Sequence, residues 1–260
     1  MDLVVLITGM NGLHDIKIEA RPSQKNVIEI RDIRFCWPGQ ANDVLDISAI
    51  DVKKGEHLFI QGPSGSGKTT LLNLLTGIIL PVSGSVKILG SEQTILGNIQ
   101  RDRFRADHLG VIFQQFNLLP YLSLLENIML PCWFSAKRKQ RAGNMEAEAI
   151  RLLKHLCLSP ELAEKPVIEL SMGEQQRAAV ARALIGNPEI IIADEPTSAL
   201  DVESRDRFLD LLFKESDERG STLVFVSHDP YISEKFSRRI ELPKINRAKS
   251  SADRAKGGTV

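Results

Sequence analysis

The stretch "HLFIQGPSGSGKTTLLNLL" (57–75) confines the possible folds more than any other. A short apolar strand runs straight into glycines. An apolar helical face, Leu71, Leu74, Leu75, Ile78 and Ile79, follows and is expected to stop at Pro81 and "VSG". Strand, glycine turn, helix is the opening unit of a parallel α/β sheet. The turn fits G-x-x-x-x-G-K-[ST]. Across Gly62, Pro63, Ser64, Gly65, Ser66 and Gly67 successive backbone N–H groups can converge on oxygen anions, with the helix dipole adding positive potential. In that register Lys68 would bridge a β- and a γ-phosphate, Thr69 would bind Mg²⁺, and Thr70 would reach an α-phosphate. A glycine-rich turn that binds nothing is the alternative, and the flanking strand and helix weigh against it.

Elsewhere the period of the apolar residues changes three times. "VIEIRDIRF" (27–35) and "VLDISAIDV" (44–52) alternate with period two, as half-buried strands do, and "SVKILG" (85–90) and "LGVIF" (109–113) are two more strands. From Gln114 to about Arg177 the texture is helical, clearest in "MEAEAIRLLKHL" (145–156). "EIIIAD" (189–194) and "TLVFVS" (222–227) are nearly all apolar, as parallel strands covered on both faces should be, and a helix ending at Gly220 lies between them. Residues 1–26 show no sustained period and are expected to be an unstructured extension. The polar, basic tail 244–260 is expected to be mobile, with attraction to an anionic membrane surface as the other reading.

Four side chains follow buried strands directly, where an α/β sheet presents its ligand edge. Asp194 closes "IIIAD" and can hold a metal shell; Glu195, expected on the other side of the strand, can face an attacking water. Two acids after four hydrophobes can also merely cap a strand. Gln114 can contact Mg²⁺ or its water, and His228 can donate to a γ-phosphate, although a lone strand-end Gln or His is more often a satisfied surface residue. A second turn, "LSMGEQQR" (170–177), aims Ser171 and Gly173 as a helix N-terminus aims at an anion, yet has no lysine to close a cradle.

In order, the cradle, Gln114, "LSMGEQQR", "IIIADEPTSALD" and "VSHD" resemble the ATP-binding cassette (ABC) ATPases over about residues 27–243. The resemblance implies a P-loop NTPase (ABC-type) α/β core with an antiparallel β-subdomain (about 27–113 and 181–243) and an inserted helical subdomain (about 114–180). It implies ATP and Mg²⁺ as ligands, with Thr69, Gln114 and Asp194 on the metal. Lys68, Gln114, Glu195 and His228 would serve hydrolysis, with Glu195 polarising the water. In this family the signature turn meets the γ-phosphate held by another subunit. Ser171, Gly173 and Glu174 would therefore act in trans, and Ser198 and Asp201 of "SALD" would cross the same homodimer interface. The usual signature reads Leu-Ser-Gly-Gly-Gln. Met172 and Glu174 depart from it, which implies retuned hydrolysis. Trp37 lies where the family commonly stacks a tyrosine on adenine; packing on the β-subdomain is the other reading.

The stretch "VIFQQFNLLPYLSLLENIMLP" (111–131) looks most like the macrolide-export and lipoprotein-release branch, whose ATPases drive a separate transmembrane permease. The segment after Gln114 would dock that permease, although Phe116, Leu118, Leu119 and Tyr121 can equally be buried within the helical subdomain. The substrate expected is hydrophobic, lipid-like or peptidic. A mechanical signalling ATPase that controls a cell-wall enzyme without transport is the alternative. A non-transport ABC protein of translation or repair is further away, for want of a second cassette or a long coiled coil. The charge balance, 33 basic against 33 acidic residues, gives no reason to expect nucleic acid. No stretch approaches the roughly 20 apolar residues of a membrane span, and Cys36, Cys132 and Cys157 have no metal spacing. The place expected is cytoplasmic, peripheral on the membrane through the permease.

Overall fold

Two sheets with opposite pairing rules organise the chain. The computed structural model describes residues 25–197 and 200–248, and the backbone of two short strands, β1 (Leu3–Val5) and β2 (Ile18–Ala20), which pair antiparallel. Most of the extension 1–26, the tail beyond 248, and Ser198 with Ala199 lie outside the described residues. β3 (Asn26–Phe35) buries Ile28 and Ile30, then Ile33 and Phe35. The slip of one position in that alternation is taken up by Asp32 at φ 46°, where the register against β6 (Ser83–Ile88) also shifts. β4 (Leu45–Lys53) pairs with it.

β5 (His57–Gln61) leads through the glycine turn into α1 (Lys68–Leu75), and β6 (Ser83–Ile88) and β7 (Ser91–Glu92) return to β3, completing an antiparallel sheet of order β4-β3-β6-β7. α2 (Asn98–His108) enters β8 (Leu109–Ile112). The helical stretch then comprises α3 (Leu124–Phe134), α4 (Ala136–Ala142), α5 (Met145–His155) and α6 (Met172–Leu184). β9 (Ile190–Asp194), α7 (Val202–Arg219), β10 (Thr222–Ser227), α8 (Pro230–Ser233), β11 (Arg238–Glu241) and α9 (Leu242–Ile245) follow. The second sheet is wholly parallel, in the order β11-β5-β10-β9-β8.

The apolar runs of the parallel strands face two separate cores. Phe59, Ile191, Leu223 and Phe225 point to the helical side, packed with α3, α5 and α6. Leu58, Ile60, Ile190, Ile192, Val224 and Val226 point to the side of α1 and the antiparallel sheet. Each such side chain contributes roughly 1.5–3 kcal/mol on burial, so both faces must stay covered. The C-terminus of α6 presses on β8 so closely that a Cβ at Gly110 would lie 2.4 Å from the Ala183 carbonyl. Arg138 on α4, buried, seals this junction by donating to the carbonyls of Ala183 (2.6 Å), Ile185 (2.8 Å) and Leu109 (3.3 Å).

Four details differ from expectation. α1 stops at Leu75, capped by Thr76 with a turn at Gly77, so Ile78 lies beyond the helix and is 48% exposed. β8 ends before Phe113. α2 and β11 have no clear apolar period and were not expected. Residues 244–248, expected to belong to a mobile tail, are held against β4: Asn246 bridges Ile47 and hydrogen-bonds the backbone of Asp46 and Val44, and Arg247 pairs with Asp46 at 2.6 Å.

Candidate active site

The glycine turn is built to leave donors free. Gly67 is the N-cap of α1 at φ 97°, a conformation that L side chains avoid, and an added Cβ would lie 2.8 Å from Leu45 Cδ2. It contributes no side-chain cap, whereas α3, α5, α6 and α7 have theirs filled by Ser123, Asn144, Ser171 and Asp201. The first N–H groups of α1 therefore remain available to an anion. The turn is folded tightly on itself, since a Cβ at Gly62 would lie 2.5 Å from Ser66 Oγ, which itself has no hydrogen-bond partner.

A cavity of about 760 Å³ opens in front of this turn. Pro63, Ser64, Gly65, Gly67, Lys68, Thr69 and Thr70 line one side of it, and Gln114, Asp194, Glu195 and His228 the other. Trp37 and Val44 stand at its rim, Trp37 38% exposed and edge-on to Phe35 with ring centroids 5.0 Å apart. The buried Lys68 Nζ donates to the carbonyls of Gly62 (2.9 Å) and Pro63 (3.1 Å) and lies 3.5 Å from Glu195 Oε1. A phosphate oxygen can take the place of either kind of partner at little cost, because all are acceptors.

Thr69 Oγ1 donates to Asp194 Oδ2 at 3.2 Å. Burial, with the neighbouring Glu195 charge, pushes the Asp194 carboxyl up, against the pull of the Thr69 hydrogen bond and the Lys68 charge. A half-buried carboxylate beside a hydroxyl and an amide oxygen is an all-oxygen donor set, which suits Mg²⁺. Thr69, Asp194 and Gln114 would hold that ion.

Glu195 reaches the same cavity as Asp194, not the opposite side of the strand. Its backbone turns to φ 43° immediately after β9, and its N–H donates to the Val226 carbonyl at 2.9 Å, which cancels the alternation expected of an extended strand. His228 Nδ1 lies 3.0 Å from Glu195 Oε2. That contact orients Glu195 from the end of the neighbouring strand.

Ser171, Gly173 and Glu174 are not among the residues lining this cavity. Ser171 is exposed at the N-cap of α6 and closes a capping box with Glu174: Glu174 Oε2 accepts from the Ser171 N–H (2.8 Å) and Oγ–H (2.7 Å). The hydrogen bonds from Ser171 hold the Glu174 carboxyl below its usual range. The acid is thus bound to its own turn, a role that the Ser-x-x-Glu spacing signals and the sequence reading passed over. Met172 is 58% exposed. Asp201 caps α7, accepting from the Ser204 N–H at 2.9 Å, while Ser198 lies outside the described residues.

A larger cavity, about 1460 Å³, lies next to the segment that follows Gln114. Phe113 and Asn117 of that segment line it with Ile99 of α2, Trp133 and Phe134 of α3, and Lys137 of α4; Trp133 is 48%, Phe134 74% and Ile99 84% exposed. Of the four apolar residues singled out after Gln114, Phe116 is buried, Leu118 packs on the core, Leu119 is half-buried and Tyr121 is 77% exposed. No helix among the described residues is long and apolar enough to cross a membrane.

Comparison with known proteins bears on this geometry. Residues 45–198 match the family model described as ABC transporter. The ABC transporter ATP-binding protein YtrE of Bacillus subtilis is 42% identical over 201 residues, 75% of this chain and 84% of its own. The macrolide export ATP-binding/permease protein MacB of Campylobacter jejuni is 43% identical over 201 residues, 77% of this chain but only 31% of that longer protein. Among solved structures, the ATP-binding cassette MJ0796, as a dimer in a post-hydrolysis state bound to ADP and Pi, is similar with a TM-score of 0.73 and 33% identity, over 86% of this chain and 98% of that one.

Proposed function

The chain belongs to the ABC transporter family of ATP-binding cassettes, ATPases by trade, and from that premise we propose that two copies clasp two ATP molecules between them and drive a separate membrane permease. One observation carries the dimer: the cavity is lined by most of the glycine turn with Lys68, Thr69, Thr70, Gln114, Asp194, Glu195 and His228, but by none of the signature turn, which is exposed elsewhere on the chain at the N-terminus of α6. A turn built for an anion and placed away from its own chain's cradle is of use to a second copy. The dimeric MJ0796 cassette with ADP and Pi supports the same arrangement.

In this reading the first N–H groups of α1 and Lys68 hold the phosphates, and Trp37 stacks on the adenine. Thr69, Asp194 and Gln114 would hold magnesium, which would supply neutralisation of phosphate charge. Glu195, oriented by His228, takes the proton of the attacking water, a contribution of roughly 10²- to 10⁴-fold. Ser171 and the Gly173 N–H of the other copy stabilise charge on the terminal phosphate, and the loop containing Ser198 and Asp201 crosses the interface. The permease sits in the groove at Ile99, Trp133 and Phe134, whose exposed apolar area a partner would cover. Export or extraction of a hydrophobic, lipid-like or peptidic substrate is favoured by the likeness to MacB, and the chain acts at the cytoplasmic face through that permease. The relatives give no support to a signalling role without transport.

Glu195→Gln tests the shared site. With ATP and magnesium this variant is expected to bind nucleotide, to hydrolyse it at least about 10²-fold more slowly, and to elute as a dimer on gel filtration. A variant that binds ATP and stays monomeric overturns the proposal.

A further inference from the structure

The chain beyond β11 folds back against both walls of the cavity. β11 runs parallel to β5 as far as the pair Glu241 and Gln61, so it ends level with the start of the glycine turn. In α9, Leu242 is buried in the core shared by α1 and the antiparallel sheet, and a Cβ at Gly62 would lie 3.4 Å from Pro243 Cδ. Beyond α9 the backbone crosses to the head of β4. Asn246, half-buried, donates from Nδ2 to the Val44 carbonyl (2.9 Å) and accepts at Oδ1 from the N–H groups of Asp46 (2.8 Å) and Ala248 (3.2 Å). The Arg247 N–H donates to the Asp46 carbonyl at 2.8 Å. Both halves of the Asn246 amide are thus used, and one of them holds a residue that lines the cavity.

Val44 is where the two walls meet. Its N–H donates to the Phe35 carbonyl at 2.7 Å, and the Phe35 ring packs on Trp37. Its carbonyl, the one that accepts from Asn246, lies 3.4 Å from the place of a Cβ on Gly67, the N-cap of α1. The backbone at Val44 is therefore pinned on one side by the strand that leads to Trp37 and on the other by Asn246. A nucleotide spans rim and cradle at once, so its base and its phosphates are bound together only when the two walls keep one separation. Resting on the reading of this cavity as an ATP site with Trp37 on the adenine, we propose that Asn246 is a positioning residue for the base. By holding Val44 it sets the rim, and Trp37 with it, against Gly67 and the cradle. The segment 242–247 thereby makes the cavity select a nucleotide over a bare polyphosphate.

Calorimetric titration of the full chain with ATP and with inorganic triphosphate, each with magnesium, tests this beside steady-state hydrolysis. Asn246→Ala removes the donor and the acceptor, and should weaken ATP about tenfold but triphosphate less than about twofold. KM for ATP should rise in step while kcat stays within about twofold of the parent, since a contact to the base is the same in ground and transition states. Asn246→Asp keeps the bonds accepted from Asp46 and Ala248 but sets an acceptor against the Val44 carbonyl, and should show the same selective loss. In a Trp37→Ala background, Asn246→Ala should cost ATP less than about twofold, because the side chain it positions is gone. Parent affinity for ATP in either variant overturns the proposal. So does an equal loss for ATP and triphosphate, which marks a merely structural role, and so does full additivity with Trp37→Ala. Should Asn246→Ala fail to fold, Asn246→Asp still decides. The reading of the cavity is judged apart: a parent that binds triphosphate as tightly as ATP removes the base from the site. If the parent and both Asn246 variants prefer ATP alike, that reading stands and only the role of Asn246 falls.

Discussion

Glu195 and Trp37 each lie just beyond a strand, and local contacts decide how their side chains meet the cavity. Alternation along β9 would send Asp194 and Glu195 to opposite faces, but a left-handed backbone at Glu195 brings both into one cavity, where Lys68 and His228 flank the carboxylate. The residue is held there by its N–H to Val226 and by His228, so the positive φ is imposed by neighbours on β10 and its exit. Trp37 is different, because its indole touches Phe35 edge-on yet leaves 38% of the residue open at the rim. If the open face stacks on adenine, Trp37→Ala should weaken ATP binding about tenfold or more, at roughly 1–3 kcal/mol per stacked base, and leave inorganic triphosphate binding nearly unchanged. Calorimetric titration with both ligands checks this. Equal losses would mean that the ring only packs on the β-subdomain.

At the scale of elements, the strands whose two faces are both covered, β5, β9 and β10, stand out in the sequence because no polar residue interrupts them. The cradle and the acid pair were legible for a related reason: their chemistry depends on local spacing, which a string of residues displays. α2 was not, since "NIQRDRFRADH" buries no residue and has no apolar face to betray a helix. β11, with exposed or half-buried residues throughout, is hidden in the same way. The buried hydrogen bonds that Gln176 and Arg182 of α6 donate to the carbonyls of Pro196 and Asn117 span 20 and 65 residues, and no local pattern encodes that distance.

The contact between α2, α4 and the entry to β9 offers a pH test of this packing. Arg141 of α4 pairs with Glu189 at 2.6 Å, and His108 at the end of α2 approaches it at 3.1 Å, off the hydrogen-bonding axis. Burial alone would raise the Glu189 carboxyl, but His108 and Arg141 outweigh it and hold it at about 2, against an ordinary 4.5. A carboxyl depressed in the folded state stabilises above its unfolded pKa and ceases to do so as pH falls through its folded pKa. Glu189→Gln should therefore cost about 1–2 kcal/mol at pH 7, after allowance for solvent screening. The gap between parent and variant in urea melts should close between about pH 4.5 and pH 2. A gap that stays constant across that window would remove the ion pair from the account.

On the scale of the whole molecule, two candidate surfaces share no residue: a cavity with cradle, acids and histidine, and a capped, exposed turn at the head of α6. Geometry of this kind is best tested by dividing the surfaces between two chains. Ser171→Arg blocks the turn and spares the cradle; Lys68→Ala disables the cradle and spares the turn. Each variant alone forms symmetric dimers in which both sites are broken. In an equal mixture half the dimers are mixed, and each mixed dimer has one intact site of two, so activity should return to at most about a quarter of the parent's. A mixture no more active than either variant would refute sites shared between copies.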